Sequence, residues 1–140
     1  MAPPLLTGLR ILLAEDGPDN QRLITFMLRK AGAEVSIVAN GKLAVESMTV
    51  DGTVSGELVS PSPFDLVLTD IQMPEMDGYT ATRTLRDKGA KVPIVALTAH
   101  AMQGDRDRCI EAGCDGYAQK PVDRQMLLAV CRAAVDGTPQ

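Results

Sequence analysis

Glu15 and Asp16 follow the run Arg10–Ala14, and Asp70 follows Leu66–Thr69. Two further runs, Val92–Leu97 and Gly116–Gln119, lead into Thr98 and Lys120. Short, largely apolar runs of this kind read as strands buried on both faces. If the strands are parallel, three carboxylates, a hydroxyl and an ammonium meet at the carboxyl-end edge of one sheet. That edge is where open α/β sheets bind their ligands. Clustered carboxylates suit a hard divalent cation, which prefers oxygen ligands in an octahedral array. The cations and donors beside them suit the charge that develops on phosphoryl oxygens during transfer. Without a cation, Glu15 and Asp16 repel any anion approaching Asp70, so metal binding should also stabilise the fold.

The elements that must hold these residues alternate. A strand at Arg10–Ala14 is followed by a helix opened by Pro18 with Asp19 or Asn20 as its cap, and closed by Ala31–Gly32. Leu23, Ile24, Met27 and Leu28 recur at helical spacing along it. Next come a strand at Glu34–Val38, a turn at Asn40–Gly41 and a helix over Lys42–Val50, with Leu43, Ala44 and Met48 as its buried stripe. Asp51–Pro63 scatters Gly, Ser and Pro among small apolar residues without a period and reads as an extended loop. Phe64–Thr69 is a strand, Ile71–Gly78 a breaker-rich loop and Tyr79–Lys88 a helix. After the strand at Val92–Leu97 come a loop at Ala99–Gly104, a helix at Asp105–Ala112 and a short strand ending at Lys120. A helix from Asp123 to Ala134 closes the pattern, with Met126, Leu127, Val130 and Cys131 on one face. The alternation predicts an α/β fold: a parallel sheet, right-handed crossovers and helices on both faces.

The bulk properties narrow the classes of function. The chain has 140 residues, 45% apolar and 23% charged, which suits one soluble domain. A net charge of −4 with no Lys/Arg block argues against direct nucleic acid binding. No apolar stretch approaches the ~20 residues that span a bilayer, so no membrane contact is expected of this domain. Cys109, Cys114 and Cys131 have no pairing or ligand spacing; as small core residues they fit a reducing, cytoplasmic setting. The lone His100 lacks the partners for a zinc site. Residues 1–8 and 136–140 are rich in small and turn residues and read as linker or tail around a domain at 9–135.

Taken singly, the site candidates are ambiguous. Glu15 or Asp16 also fits a helix cap, Thr98 a strand end, Lys120 a solvated lysine and Tyr117 a half-buried aromatic. Five signals in order are specific: Glu15-Asp16, Asp70, the Met73-Pro74-x-Met76-Asp77-Gly78 loop, Thr98-Ala99 and Lys120-Pro121. In these the chain resembles the receiver domains of two-component response regulators, most closely those attached to hybrid sensor histidine kinases. The resemblance implies a flavodoxin-like five-stranded sheet of order 2-1-3-4-5. It implies Asp70 as phosphoacceptor, and Mg²⁺, with Mn²⁺ as substitute, held by Asp16, Asp70 and the backbone carbonyl of Gln72, with Glu15 acting through water. Thr98 and Lys120 are then the phosphoryl-contacting groups, the Lys120–Pro121 bond is cis, and Tyr117 is the switch aromatic. The implied partners are a histidine kinase or a histidine phosphotransfer domain, with an output domain or intramolecular kinase domains in a parent protein that can itself be membrane-anchored.

On this reading the domain assists its own aspartyl phosphorylation and dephosphorylation but turns over no separate substrate. Phosphorylation at Asp70 is expected to switch the surface from Asp105 to Ala134. The phosphodonor is expected to reach the rim where Gln21, Ile24 and Leu28 lie. Two other classes compete: an unphosphorylated interaction module, and a metal-dependent phosphohydrolase of another α/β family. The complete set of acids, Thr98 and Lys120 disfavours the first. Gln72, where an aspartyl-nucleophile hydrolase needs a second acid, disfavours the second. The chain departs from the compact receiver pattern in its long Asp51–Pro63 connection and in Gly17 beside the acids. Gln72 and His100 hold the positions that tune phosphoryl lifetime in the family.

Overall fold

The computed structural model describes residues 6–99 and 103–137. Its elements are β1 (Arg10–Ala14), α1 (Pro18–Lys30), β2 (Glu34–Val38), α2 (Gly41–Ser47), β3 (Leu66–Asp70), α3 (Gly78–Asp87), β4 (Ile94–Thr98), α4 (Gln103–Ala112), β5 (Gly116–Gln119) and α5 (Arg124–Asp136). The strands pair in parallel in the order β2-β1-β3-β4-β5. This is the flavodoxin-like arrangement. Strand order reverses between β1 and β3, so a crevice opens at their carboxyl ends.

Side-chain alternation along β1 builds two layers. Ile11 and Leu13 pack with Ile24 and Leu28 of α1 and with Leu127, Leu128 and Cys131 of α5. Leu12 and Ala14 face the other way, onto Ala44 and Val45 of α2 and Ala81 and Leu85 of α3. A smaller cluster joins Ile71, Tyr79 and Ala96 to Cys109 and Ala112 of α4. Every residue of β3 and β4 is buried, which accounts for the apolar runs that precede their polar ends. Each fully buried Leu or Ile contributes about 1.5–3 kcal/mol relative to exposure. These layers therefore hold the strand ends rigidly.

Several boundaries and faces differ from the sequence expectation. The cap of α1 is Gly17, with Pro18 in the first turn and no side-chain cap; the carboxylate of Glu15 accepts the Gly17 N–H instead. Helix α2 stops at Ser47 because Thr49 leaves it to pair antiparallel with Leu58. In α2, Val45 is buried and Leu43 is 40% exposed. In α5, Leu128 is buried and Met126 is exposed; in α1, Ile24 and Leu28 are buried and Leu23 is exposed. The rim of α1 therefore cannot offer Ile24 or Leu28 to a partner. Strand β3 includes Asp70 itself, and β4 begins after Pro93, which has no N–H to add to a ladder. Leu6 is fully buried and its N–H donates to the Ala31 carbonyl, so packing begins before residue 9. The 51–63 connection is anchored: Val54, Leu58 and Phe64 pack on the second layer, and Lys88 Nζ donates to the Gly56 carbonyl at 2.7 Å.

Candidate functional site

Strand register sets the site. Ala14 lies opposite Thr69, Asp70 opposite Leu97, and Thr98 opposite Gln119. The residues that end β1, β3, β4 and β5 therefore share one edge. Glu15 and Asp70 are both buried, at 1% and 6% exposure, while Asp16 is exposed. One carboxylate oxygen from each of Glu15, Asp16 and Asp70 lies within 4.8 Å of the others. Lys120 reaches into this cluster, its Nζ 2.7 Å from Asp70 Oδ2 and 2.9 Å from Glu15 Oε1. Burial pulls the Lys120 ammonium toward neutrality, but its hydrogen bonds to Asp70 and Glu15 and their charges outweigh that, and its pKa is raised. The ammonium is charged at neutral pH.

Local structure fixes each group. The Lys120 N–H donates to the Thr98 carbonyl at 2.7 Å, tying the end of β5 to β4, and the Lys120–Pro121 peptide is cis. Gly78 backs directly onto Asp70, so closely that a Cβ there would collide with the Asp70 carbonyl. Its N–H donates to the Ile71 carbonyl at 2.8 Å, and the preceding Asp77 caps α3 by accepting the Thr80 N–H at 2.8 Å. The Met76-Asp77-Gly78 segment thus closes the chain behind Asp70 within a few residues. Met76 in turn accepts the Gly41 N–H at 3.0 Å, which docks the start of α2 on the same loop.

A cavity of about 160 Å³ opens beside the cluster, lined by Asp70, Ile71, Gln72, Tyr79, Thr98, Ala99, Arg108 and Lys120. Asp70, Gln72, Thr98 and Lys120 are thus brought together, with Glu15 and Asp16 flanking them. Tyr117 is not part of this lining. It is half-buried on β5, faces a neighbouring cavity with Cys109 and Cys114, and carries the Arg106 guanidinium 5.2 Å from its ring centre. His100 lies outside the described residues. Tyr79 and Arg108 had no signal in the sequence, because their relation to the site depends on how α3 and α4 pack. Larger cavities along α1 and beside the 51–63 connection, about 610 and 510 Å³, lie away from the carboxylates.

Residues 11–132 match the response regulator receiver domain family. The chain belongs to that family. This receiver domain is homologous to those of hybrid histidine kinases. It is 42% identical over 150 aligned positions to Histidine kinase 1 of Arabidopsis thaliana, and 35% identical over 130 to hybrid signal transduction histidine kinase I of Dictyostelium discoideum. Those alignments take in 89% and 90% of this receiver domain but 12% and 7% of the relatives, so the chain spans a small part of their length. Among solved structures, the receiver domain of a sensor histidine kinase from Pseudomonas aeruginosa PAO1 superposes with a TM-score of 0.76 at 39% identity. The match covers 93% of this chain and 99% of that one, and that structure has a magnesium ion coordinated in its active-site cleft.

The carboxylate set fits such an ion chemically. All three acids are hard oxygen donors close enough to share one cation, and no sulfur or imidazole joins them among the described residues. The same receiver domain contains no helix, among the described residues, long and apolar enough to cross a membrane.

Proposed function

We propose that this receiver domain accepts a phosphoryl group on Asp70 from a phosphohistidine of a partner kinase or histidine phosphotransfer domain, in a Mg²⁺-dependent reaction that switches its surface. The observation that carries this reading is the buried Asp70 carboxylate held by Lys120 beside two further acids. In the transfer, an Asp70 carboxylate oxygen forms a bond to phosphorus as the bond from phosphorus to the histidine nitrogen breaks, and the imidazole leaves. Asp16, Asp70 and the Gln72 carbonyl are assigned to hold the cation, with Glu15 acting through water; Mn²⁺ is a suitable substitute. When bound, the cation supplies positive charge to the phosphoryl oxygens.

The chain's own groups do the rest. Lys120 leaves its pair with Asp70 to meet the incoming phosphoryl oxygens, and stays close because Glu15 still holds it. The Thr98 hydroxyl donates to another of those oxygens. Movement of Thr98 toward the phosphoryl group vacates space for the Tyr117 ring, which alters the surface of α4, β5 and α5. Later attack by water on phosphorus breaks the acyl phosphate and returns the Asp70 carboxylate.

We assign the domain to a cytoplasmic part of a hybrid sensor histidine kinase, on the strength of its relatives. Intact-mass spectrometry after incubation with acetyl phosphate and MgCl₂ tests the phosphoacceptor. The expected result is a labile adduct of about 80 Da, one phosphoryl group, that is absent in Asp70→Asn and in EDTA. An undiminished adduct in Asp70→Asn refutes the assignment.

A further inference from the structure

Two arginines two residues apart on α4 each lie over a tyrosine ring next to the site. Arg106 covers Tyr117, and the Arg108 guanidinium carbon is 4.4 Å from the centre of the Tyr79 ring. Tyr79 is 4% exposed and fixed in the small cluster between α3 and α4, so its ring is a rigid platform. Both Tyr79 and Arg108 line the 160 Å³ cavity that also holds Asp70, Thr98 and Lys120. A guanidinium stacked on an aromatic face keeps its edge donors available, and its planar fork matches phosphoryl oxygens in pairs. Lys120 is already shared between Asp70 and Glu15, so in the resting site its charge is spent on carboxylates of the same cluster. Arg108 approaches from a different element and lines the same cavity as Asp70.

Building on the phosphoacceptor reading above, we propose that Arg108 is a further phosphoryl-contacting residue that binds an oxygen of the phosphoryl group on Asp70 and so ties α4 directly to the phosphorylated site. The contact needs only a swing of an exposed side chain across its own cavity. Stacking on Tyr79 limits the rotamer freedom lost when that contact forms. It also gives α4 a route to the site separate from Thr98 and Tyr117: the helix that carries the guanidinium is drawn toward the cavity whenever an anion sits on Asp70. A lysine at the same position keeps the charge but loses the fork and most of the stack, so it restores the contact only in part.

The test is titration of the Mg²⁺-loaded domain with beryllofluoride, followed by amide chemical shifts, in the parent, Arg108→Ala, Arg108→Lys and Tyr79→Leu. Arg108→Ala should weaken beryllofluoride binding about tenfold, the worth of one charge-assisted hydrogen bond from an exposed group. Arg108→Lys should fall between it and the parent. Tyr79→Leu, which retains the arginine and removes its platform, should weaken binding as well. In Arg108→Ala the shifts around Asp70 and Thr98 should persist, while those of residues 106–110 should shrink. The melting temperature without beryllofluoride should fall by no more than about 2–4 °C in Arg108→Ala, the worth of one exposed stacked guanidinium, which separates the role from simple packing. Equal affinity and equal α4 shifts in Arg108→Ala and the parent overturn the proposal while leaving Asp70 phosphorylation intact. If the parent itself takes no label at Asp70 from acetyl phosphate, the underlying reading falls, and this inference with it.

Discussion

Replacing Lys120 with Met removes the cation that links Glu15 and Asp70 while keeping a side chain of similar length. The ammonium is 2.7 and 2.9 Å from carboxylates whose side chains are 9% and 1% exposed, and is itself 20% exposed. Its loss leaves three carboxylates with oxygens within 4.8 Å and no counter-charge among them. At an effective dielectric of about 20, two like charges at that separation repel by roughly 3.5 kcal/mol. Breaking one partner of a buried ion pair costs about 3–5 kcal/mol. Solvent access to Lys120 and Asp16 moderates both figures, so about 3 kcal/mol is the expected loss. With an unfolding entropy of about 2.1 cal/mol/K per residue, that lowers Tm by roughly 10 °C for a chain of this size. A divalent cation can then take over the neutralising role. Saturating MgCl₂ should raise the Tm of Lys120→Met by more than it raises that of the parent, and narrow the gap. Circular dichroism melts in EDTA and in MgCl₂ measure both effects. A Tm within about 2 °C of the parent in EDTA, less than 1 kcal/mol, or equal shifts on adding Mg²⁺, refutes the electrostatic account of the cluster.

Asp16→Ala should weaken Mg²⁺ binding about tenfold or more, because Glu15 and Asp70 cannot restore an octahedral set without it; calorimetric titration against the parent checks this. Gly78→Ala forces a Cβ onto the Asp70 carbonyl, with a loss of about 1–3 kcal/mol in urea denaturation and a displaced Asp70. Asp65 caps the far end of the sheet. Hydrogen bonds from the Arg10 side chain and N–H hold its carboxyl below the ordinary value of 3.8. A depressed carboxylate stabilises the fold above its unfolded-state pKa and loses that contribution as pH falls through the folded value. Asp65→Asn should therefore be less stable than the parent at neutral pH. The difference should vanish once the pH is well below 3.8, as followed by urea midpoints across that range.

The sequence by itself determined the sheet and its reactive edge. Strands covered on both faces must be apolar along their whole length, as Leu66–Leu68 and Ile94–Leu97 are, and the residue that follows such a run leaves the core at a predictable place. Glu15, Asp70, Thr98 and Lys120 could therefore be assigned to one edge from chain position alone. Side-chain chemistry then limited what that edge can bind. Which flank of each helix is covered was decided by the tertiary structure. Leu23, Leu43 and Met126 satisfy helical spacing as well as their buried neighbours do, yet each is exposed, because an apolar stripe is buried only where another element meets it. Long polar side chains were likewise beyond sequence reading. Arg86 donates to the carbonyls of Gly113, Ala90 and Val92 and pairs with Asp115 at 2.7 Å, joining α3 to the entries of β4 and β5. Arg108 comes to lie on Tyr79 in the cavity beside Asp70 in the same way. No local pattern encodes contacts across almost thirty residues of chain; a guanidinium's reach exceeds the spacing of any single element, so its partners are set only when the helices pack.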